Sequence, residues 1–130
     1  MSNVLVGGAL PRTIKEMLFV AISQDRKCRY CEAAHIACCR MLGIDASTIN
    51  VVLQHLDRLE PETTRAIISF GLKCARNPQS LDNADFESLR RAGLTNTEIV
   101  EVISMSGLAV YANIMADATG VADDDMFQTV

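Results

Sequence analysis

The stretch TNTEIVEVISMSGLAVYANIMADATG, Thr95–Gly120, decides the fold class. Thr95 and Glu98 form the T-x-x-E of a capping box, in which two side chains satisfy backbone N–H groups that a helix start leaves open. From there apolar residues recur at three- and four-residue steps, as in the Met105, Leu108, Met115 stripe, and no polar–apolar alternation interrupts them. Gly120 supplies the left-handed residue that stops such a helix. The segment is therefore one long helix, its Met and Leu stripe facing a core or a subunit interface.

The same logic extends towards the N-terminus. Asp82 caps a helix to Arg91, closed by Gly93, and Pro61 opens one that ends at Arg76 before Asn77-Pro78. Further helices are predicted over Ser47–Leu59, over Cys28–Leu42 with Gly43 as the terminating residue, and over Thr13–Ser23. Thr13 and Glu16 repeat the capping-box pattern at the head of this first helix. The result is an all-α, single-domain bundle of about six helices spanning residues 1–130, with 121–130, which carries Asp123-Asp124-Asp125, as a flexible tail.

Composition narrows the function. The chain has 130 residues, 49% hydrophobic and 22% charged, with a net charge of −4. That apolar fraction excludes a disordered chain, and the acidic balance excludes a phosphate-coating nucleic-acid binder. The unbroken apolar run Met17–Ile22 is far short of the ~20 residues that cross a bilayer, and no basic signal segment leads the chain, so no membrane partner and a cytoplasmic location are expected. Five cysteines cannot all pair within one chain. In a reducing compartment, closely spaced cysteines are more often catalytic or metal-binding than structural.

The chemistry concentrates in Cys28-Arg-Tyr30-Cys31-Glu-Ala-Ala-His35. Cys31 and His35 lie one helical turn apart on one face, and Cys28 sits three residues before Cys31 at the helix start. A first-turn thiol feels the positive end of the helix dipole, and a histidine one turn away can take its proton. Two cysteines at this spacing can also close into a disulfide. Cys38 extends the series to C-x2-C-x3-H-x2-C, but Cys28 and Cys38 would stand ~15 Å apart along the axis, too far for one zinc ion. No metal is expected. Cys38, Cys39 and Cys74 fall among apolar residues and read as small core hydrophobes, and His55 reads as a surface residue.

These residues carry a resemblance. Leu10-Pro11 through Glu16, Cys28-x-Tyr30-Cys31-x-x-x-His35, Leu42-Gly43, Arg65-Ala66, Phe70, and Leu89-Arg90-x-x-Gly93-Leu94-Thr95-x-x-Glu98-Ile99 together resemble the alkylhydroperoxidase AhpD core of the carboxymuconolactone decarboxylase superfamily. The resemblance spans about residues 10–115. It implies an all-helical homo-oligomer, a hexamer or a trimer, that reduces hydrogen peroxide or organic hydroperoxides. Cys31 would then be the peroxidatic cysteine, Cys28 the resolving one, and His35 with Glu16 the proton relay. Oxidation of Cys31 to a sulfenic acid and capture by Cys28 as a disulfide would follow. No bound cofactor is implied. An external dithiol, a lipoyl or thioredoxin-type donor, would restore the pair.

The well-studied branch has a histidine just before its peroxidatic cysteine. Here that residue is Tyr30, as in the peroxidase-related branch. Glu16 keeps two readings at this point, relay carboxylate or third residue of the Thr13 capping box. The alternatives for the whole chain are a thiol–disulfide oxidoreductase or redox sensor on the same cysteine pair, a lactone decarboxylase, whose branch lacks the C-x-x-C, and a non-catalytic scaffold.

Overall fold

In the computed structural model, which describes residues 2–121, every regular element is helical. Seven α-helices follow one another: α1 (Ser2–Val6), α2 (Arg12–Asp25), α3 (Arg29–Met41), α4 (Ala46–Gln54), α5 (Glu62–Arg76), α6 (Asn83–Arg91) and α7 (Asn96–Thr119). Single 3-10 turns at Leu56–Arg58 and Pro78–Ser80 link α4 to α5 and α5 to α6. The flexible tail expected over 121–130 lies outside the described residues from position 122 onward.

The C-terminal boundaries follow the chemistry read from the sequence. Asp82 and Thr95 both close reciprocal capping boxes, with Asp85 and Glu98 as their partners. Gly120 ends α7 at φ +66°, a conformation only glycine adopts at little cost.

Three expectations are corrected. α1 is an additional short helix. The helix expected to reach Leu59 stops at Gln54 and continues only as a 3-10 turn. The Thr13–Glu16 capping box does not form, because Pro11 is the cap residue and α2 begins at Arg12. Thr13 therefore lies inside the first turn, where its side chain cannot cap, and Glu16 is released for other partners.

α2 is the axis of the bundle, packing against α1, α3, α4, α5 and α7. Lys15 to Ser23 form one continuous buried run, so this helix has no solvent face over its middle turns. α5 reaches it closely at Gly71, where a Cβ would collide with the buried Leu18 side chain and press on Ser106 Oγ of α7 at 3.0 Å. α7 is long and apolar enough, by length and composition, to cross a membrane, because no charged residue falls between Glu101 and Asp117. The length of an unbroken apolar run does not reveal this. In the bundle, Val102, Met105, Ser106 and Ala109 of α7 are fully buried.

A buried ion pair ties the N-terminal segment to this framework. Lys15, 1% exposed, donates to the Val4 carbonyl at 2.6 Å, to the Gly7 carbonyl, and to Glu101 on α7. Glu101 in turn accepts from the backbone N–H groups of Ala9 (3.0 Å) and Leu10 (3.2 Å). Gly8, at φ +95°, passes directly over the Glu101 carboxylate, where no Cβ would fit. The lysine precedes Glu16, so the clamp also fixes where the next side chain of α2 points.

Candidate active site

α3 begins at Arg29, capped by Cys28, because the chain reverses within three residues of the end of α2. Lys27 takes a positive φ of 60°, an arrangement that costs a non-glycine residue about 1 kcal/mol. The Cys28 N–H then donates to the Ser23 carbonyl at 2.9 Å, and the Cys28 carbonyl accepts from Glu32 N–H at 3.0 Å. Cys28 is thus the cap residue of α3, wholly buried, and Cys31 lies in the first turn at 4% exposure. The cysteine pair stands 3.2 Å apart, and the Cys28 thiol donates to the Asn113 carbonyl of α7 at 3.9 Å.

Burial pushes the Cys28 thiol up to about 12, against a weaker pull downward from the Cys31 backbone N–H. The neighbouring Cys31 sulfur and the Asp117 carboxylate push the same way as burial. A helix-end dipole worth about 0.3–1 kcal/mol does not overcome removal from water here. Contrary to the expectation for a thiol at a helix start, Cys28 therefore stays protonated near neutral pH.

His35 is held from two sides by α2. Its Nδ1 meets Glu16 Oε2 at 2.5 Å, and its ring stacks on Phe19 with centroids 3.6 Å apart and planes 17° from parallel. Glu16 and Phe19 are three residues apart on one helix face, so one element sets both the direction and the plane of the imidazole. With Nδ1 engaged, Nε2 is the nitrogen left to exchange a proton. The second Glu16 oxygen faces Arg12 Nε at 3.4 Å. Glu16 has no solvent exposure, and a buried carboxylate of this kind is stable only with such partners.

Cys31 and His35 open onto a cleft of about 460 Å³ with Tyr30, Ala34, Tyr111 and Met115 in its walls. The lining is mostly apolar, as small-molecule clefts commonly are. The sequence-predicted residues Glu16, Cys28, Tyr30, Cys31 and His35 are thus gathered at the α2–α3–α7 junction. Phe19 was not singled out from the sequence, although its i+3 relation to Glu16 is legible there.

Cys39 and Cys74 are buried as expected, and His55 is exposed at the end of α4. Cys38 departs from its expected core role. It is half-buried, beside Glu16 and within the influence of Arg12, and burial together with the Glu16 charge raises its pKa. Glu16, His35 and Cys38 bring ligand-type atoms within 4.8 Å of one another. Two ligands of a tetrahedral zinc ion stand ~3.4 Å apart, however, so the 2.5 Å Glu16–His35 contact is that of a hydrogen bond.

Comparison with known proteins bears on this arrangement. The carboxymuconolactone decarboxylase family matches residues 1–59, just under half of the chain, and that part contains Glu16, Cys28, Cys31 and His35. A peroxidase-related protein from Silicibacter sp. TM1040 superposes with a TM-score of 0.91 at 25% identity, over 97% of this chain and 67% of its own. A peroxidase-related protein with an alkylhydroperoxidase AhpD core, from Ralstonia eutropha JMP134, gives 0.88 at 28% identity over the same shares. A debrominase in complex with 2,3,4-tribromopyrrole shares the fold, with a TM-score of 0.84 at 14% identity, over 98% of this chain and 68% of its own. No curated protein sequence matches the chain significantly.

Proposed function

Because this chain belongs to the AhpD-like carboxymuconolactone decarboxylase superfamily, we propose that it is a cysteine-based peroxidase reducing hydrogen peroxide or organic hydroperoxides. The observation that carries the reading is the Glu16–His35 contact of 2.5 Å, one helical turn from Cys31, whose pair partner lies 3.2 Å away. In this reading His35 takes the Cys31 proton through Nε2, and buried Glu16 stabilises the imidazolium. The thiolate attacks the outer peroxide oxygen, the O–O bond breaks, and His35 returns the proton to the departing alkoxide or hydroxide. Cys31 becomes a sulfenic acid, with the peroxide reduced to an alcohol or water. Cys28 then closes the disulfide with release of water.

A dithiol donor, lipoyl or thioredoxin-type, reopens that disulfide and supplies the two electrons of each cycle. No bound cofactor enters the proposed cycle. Tyr30, which lines both neighbouring clefts, takes the position beside Cys31 in this scheme. We place the enzyme in the cytoplasm as a homo-oligomer, a hexamer or a trimer. Val100, Tyr111, Ile114 and Met115 form an exposed apolar face along α7 that suits subunit contact. Peroxide consumption coupled to a dithiol tests the proposal. Turnover must vanish in Cys31→Ser; turnover undiminished in that variant refutes it.

The 3.2 Å cysteine pair also supports a second reading, thiol–disulfide exchange or redox sensing without peroxide turnover. Rapid exchange with small disulfides, together with negligible peroxide rates, would select it.

A further inference from the structure

The relay of Glu16 and His35 serves Cys31 and leaves Cys28 without a base. Cys28 must nevertheless lose its proton when it attacks, and its buried thiol does not ionise unaided near neutral pH. Among the described residues, Asp117 is the carboxylate that acts on this thiol. The Cys28 sulfur faces α7 at the Asn113 carbonyl, 3.9 Å away, and residue 117 lies one turn further along that same face.

The Asp117 carboxylate helps to hold the proton on the Cys28 thiol, and it lines the cleft beside Tyr30 that Lys27 and Arg29 also border. The wall behind it is polar as well. Asn113 Nδ2 donates to Ser23 Oγ at 3.0 Å, and Asn113 Oδ1 is buried with no hydrogen-bond partner among the described residues. An acidic side chain near the C-terminal end of a helix also runs against the macrodipole, which favours cations there. Its position is not explained by helix stability.

We propose that Asp117 is the general base of the resolving half-reaction, a catalytic group separate from the Glu16–His35 relay. The step rests on the peroxidase reading for its sulfenic acid. Asp117 takes the Cys28 proton as the Cys28 sulfur attacks the sulfur of Cys31 sulfenic acid. The S–S bond forms, the S–O bond breaks, and the departing hydroxide collects a proton from water in the cleft. The proton held by Asp117 returns to solvent and restores the balance. Thiol and sulfenic acid become disulfide and water, with no outside oxidant or reductant.

The test is Asp117→Asn, an exposed position at which the fold is expected to survive, with circular dichroism as the check. Protein is mixed with hydrogen peroxide, quenched at short times, and assayed by mass spectrometry for trapped sulfenic acid and for the Cys28–Cys31 disulfide. The sulfenic acid is expected to form at the wild-type rate, while the disulfide forms at least ~10-fold more slowly, with partial rescue by Asp117→Glu. The opposite outcome is equally well defined. Asp117 holds the Cys28 proton on, so removing its charge makes the thiol more acidic, and a bystander carboxylate would leave resolution unchanged or faster on removal. Either result overturns the proposal.

A second arm needs no peroxide. With Cys38→Ser as the common background, Cys31 is converted to its thionitrobenzoate mixed disulfide, and expulsion of thionitrobenzoate by Cys28 is followed. The same slowing of at least ~10-fold is expected in Asp117→Asn. An unchanged or faster release overturns the assignment. Wild-type protein that forms no sulfenic acid but shows this dependence on Asp117 would remove the peroxidase reading and leave the base in place.

Discussion

Replacing Glu16 by glutamine isolates the contribution of the buried charge behind His35. The two side chains have nearly the same volume, and Glu16 has no exposed surface, so the packing around Phe19 and α3 should persist. What changes is the partner of Nδ1, now 2.5 Å from a carboxylate oxygen. Hydrogen bonds to charged groups contribute about 1.5–3 kcal/mol, against about 0.5–1.5 kcal/mol for neutral ones. The imidazolium formed when His35 takes the Cys31 proton therefore loses about 1–2 kcal/mol of stabilisation, a slowing of roughly 5–30-fold in the oxidation step. Arg12 also loses its carboxylate partner, but its side chain is 42% exposed and water replaces that contact at little cost. The assay is single-turnover oxidation of Cys31 by peroxide, with the sulfenic acid trapped in a Cys28→Ser background. An oxidation rate in Glu16→Gln equal to that of the parent would refute the relay, whatever the overall turnover did.

Other predictions follow from the framework. Lys15→Met leaves Glu101 buried without its cation and should cost about 3–5 kcal/mol in urea unfolding, part of which Glu101→Gln in the same chain should recover. Gly71→Ala pushes a methyl group into Leu18 and Ser106 and should cost about 1–3 kcal/mol, read as a lowered Tm. The Arg76 hydrogen bonds hold Asp25 below the ordinary carboxylate range, and the Lys73 hydrogen bond does the same for Asp85. Burial pushes Glu101 up, but Lys15 and two backbone N–H groups outweigh it and leave its pKa lowered. Depressed carboxylates stabilise the fold fully above the pKa of the unfolded chain, about 4, and lose that contribution as pH falls through the folded values. Tm should accordingly be flat in these groups from pH 7 to about 5 and fall below about 4, and less steeply in Asp25→Asn.

Much of this architecture is legible in the sequence because local chemistry decides it. Thr95 with Glu98 and Asp82 with Asp85 can satisfy their helix starts without help from the rest of the chain. Thr13 and Glu16 show the same pattern and mislead, because Pro11 takes the cap position two residues earlier and a half-buried histidine competes for the carboxylate. Only the tertiary arrangement reveals which partner wins. α1 is invisible to periodicity for a related reason: at five residues it is too short to be stable alone, and Lys15 from the next helix holds the Val4 carbonyl.

The site divides in the same way. Cys28, Cys31 and His35 share one helical segment, so spacing alone aligns them. Glu16 and Phe19 reach His35 from another helix, and the Asn113 carbonyl meets Cys28 from α7, far along the chain. No local pattern encodes those approaches. Nor does the position of Cys28 at a helix start disclose that the thiol is wholly buried, and this burial reverses the effect expected of the dipole.

The central claim is that Cys31 is oxidised by peroxide and resolved by Cys28. The most direct measurement treats the fully reduced protein with one equivalent of hydrogen peroxide and maps the thiols by peptide mass spectrometry, beside Cys31→Ser and Cys28→Ser. The account predicts a Cys28–Cys31 disulfide in the wild type, a trapped sulfenic acid on Cys31 in Cys28→Ser, and no peroxide consumption in Cys31→Ser. Intact thiols at both positions after peroxide has been consumed would contradict it.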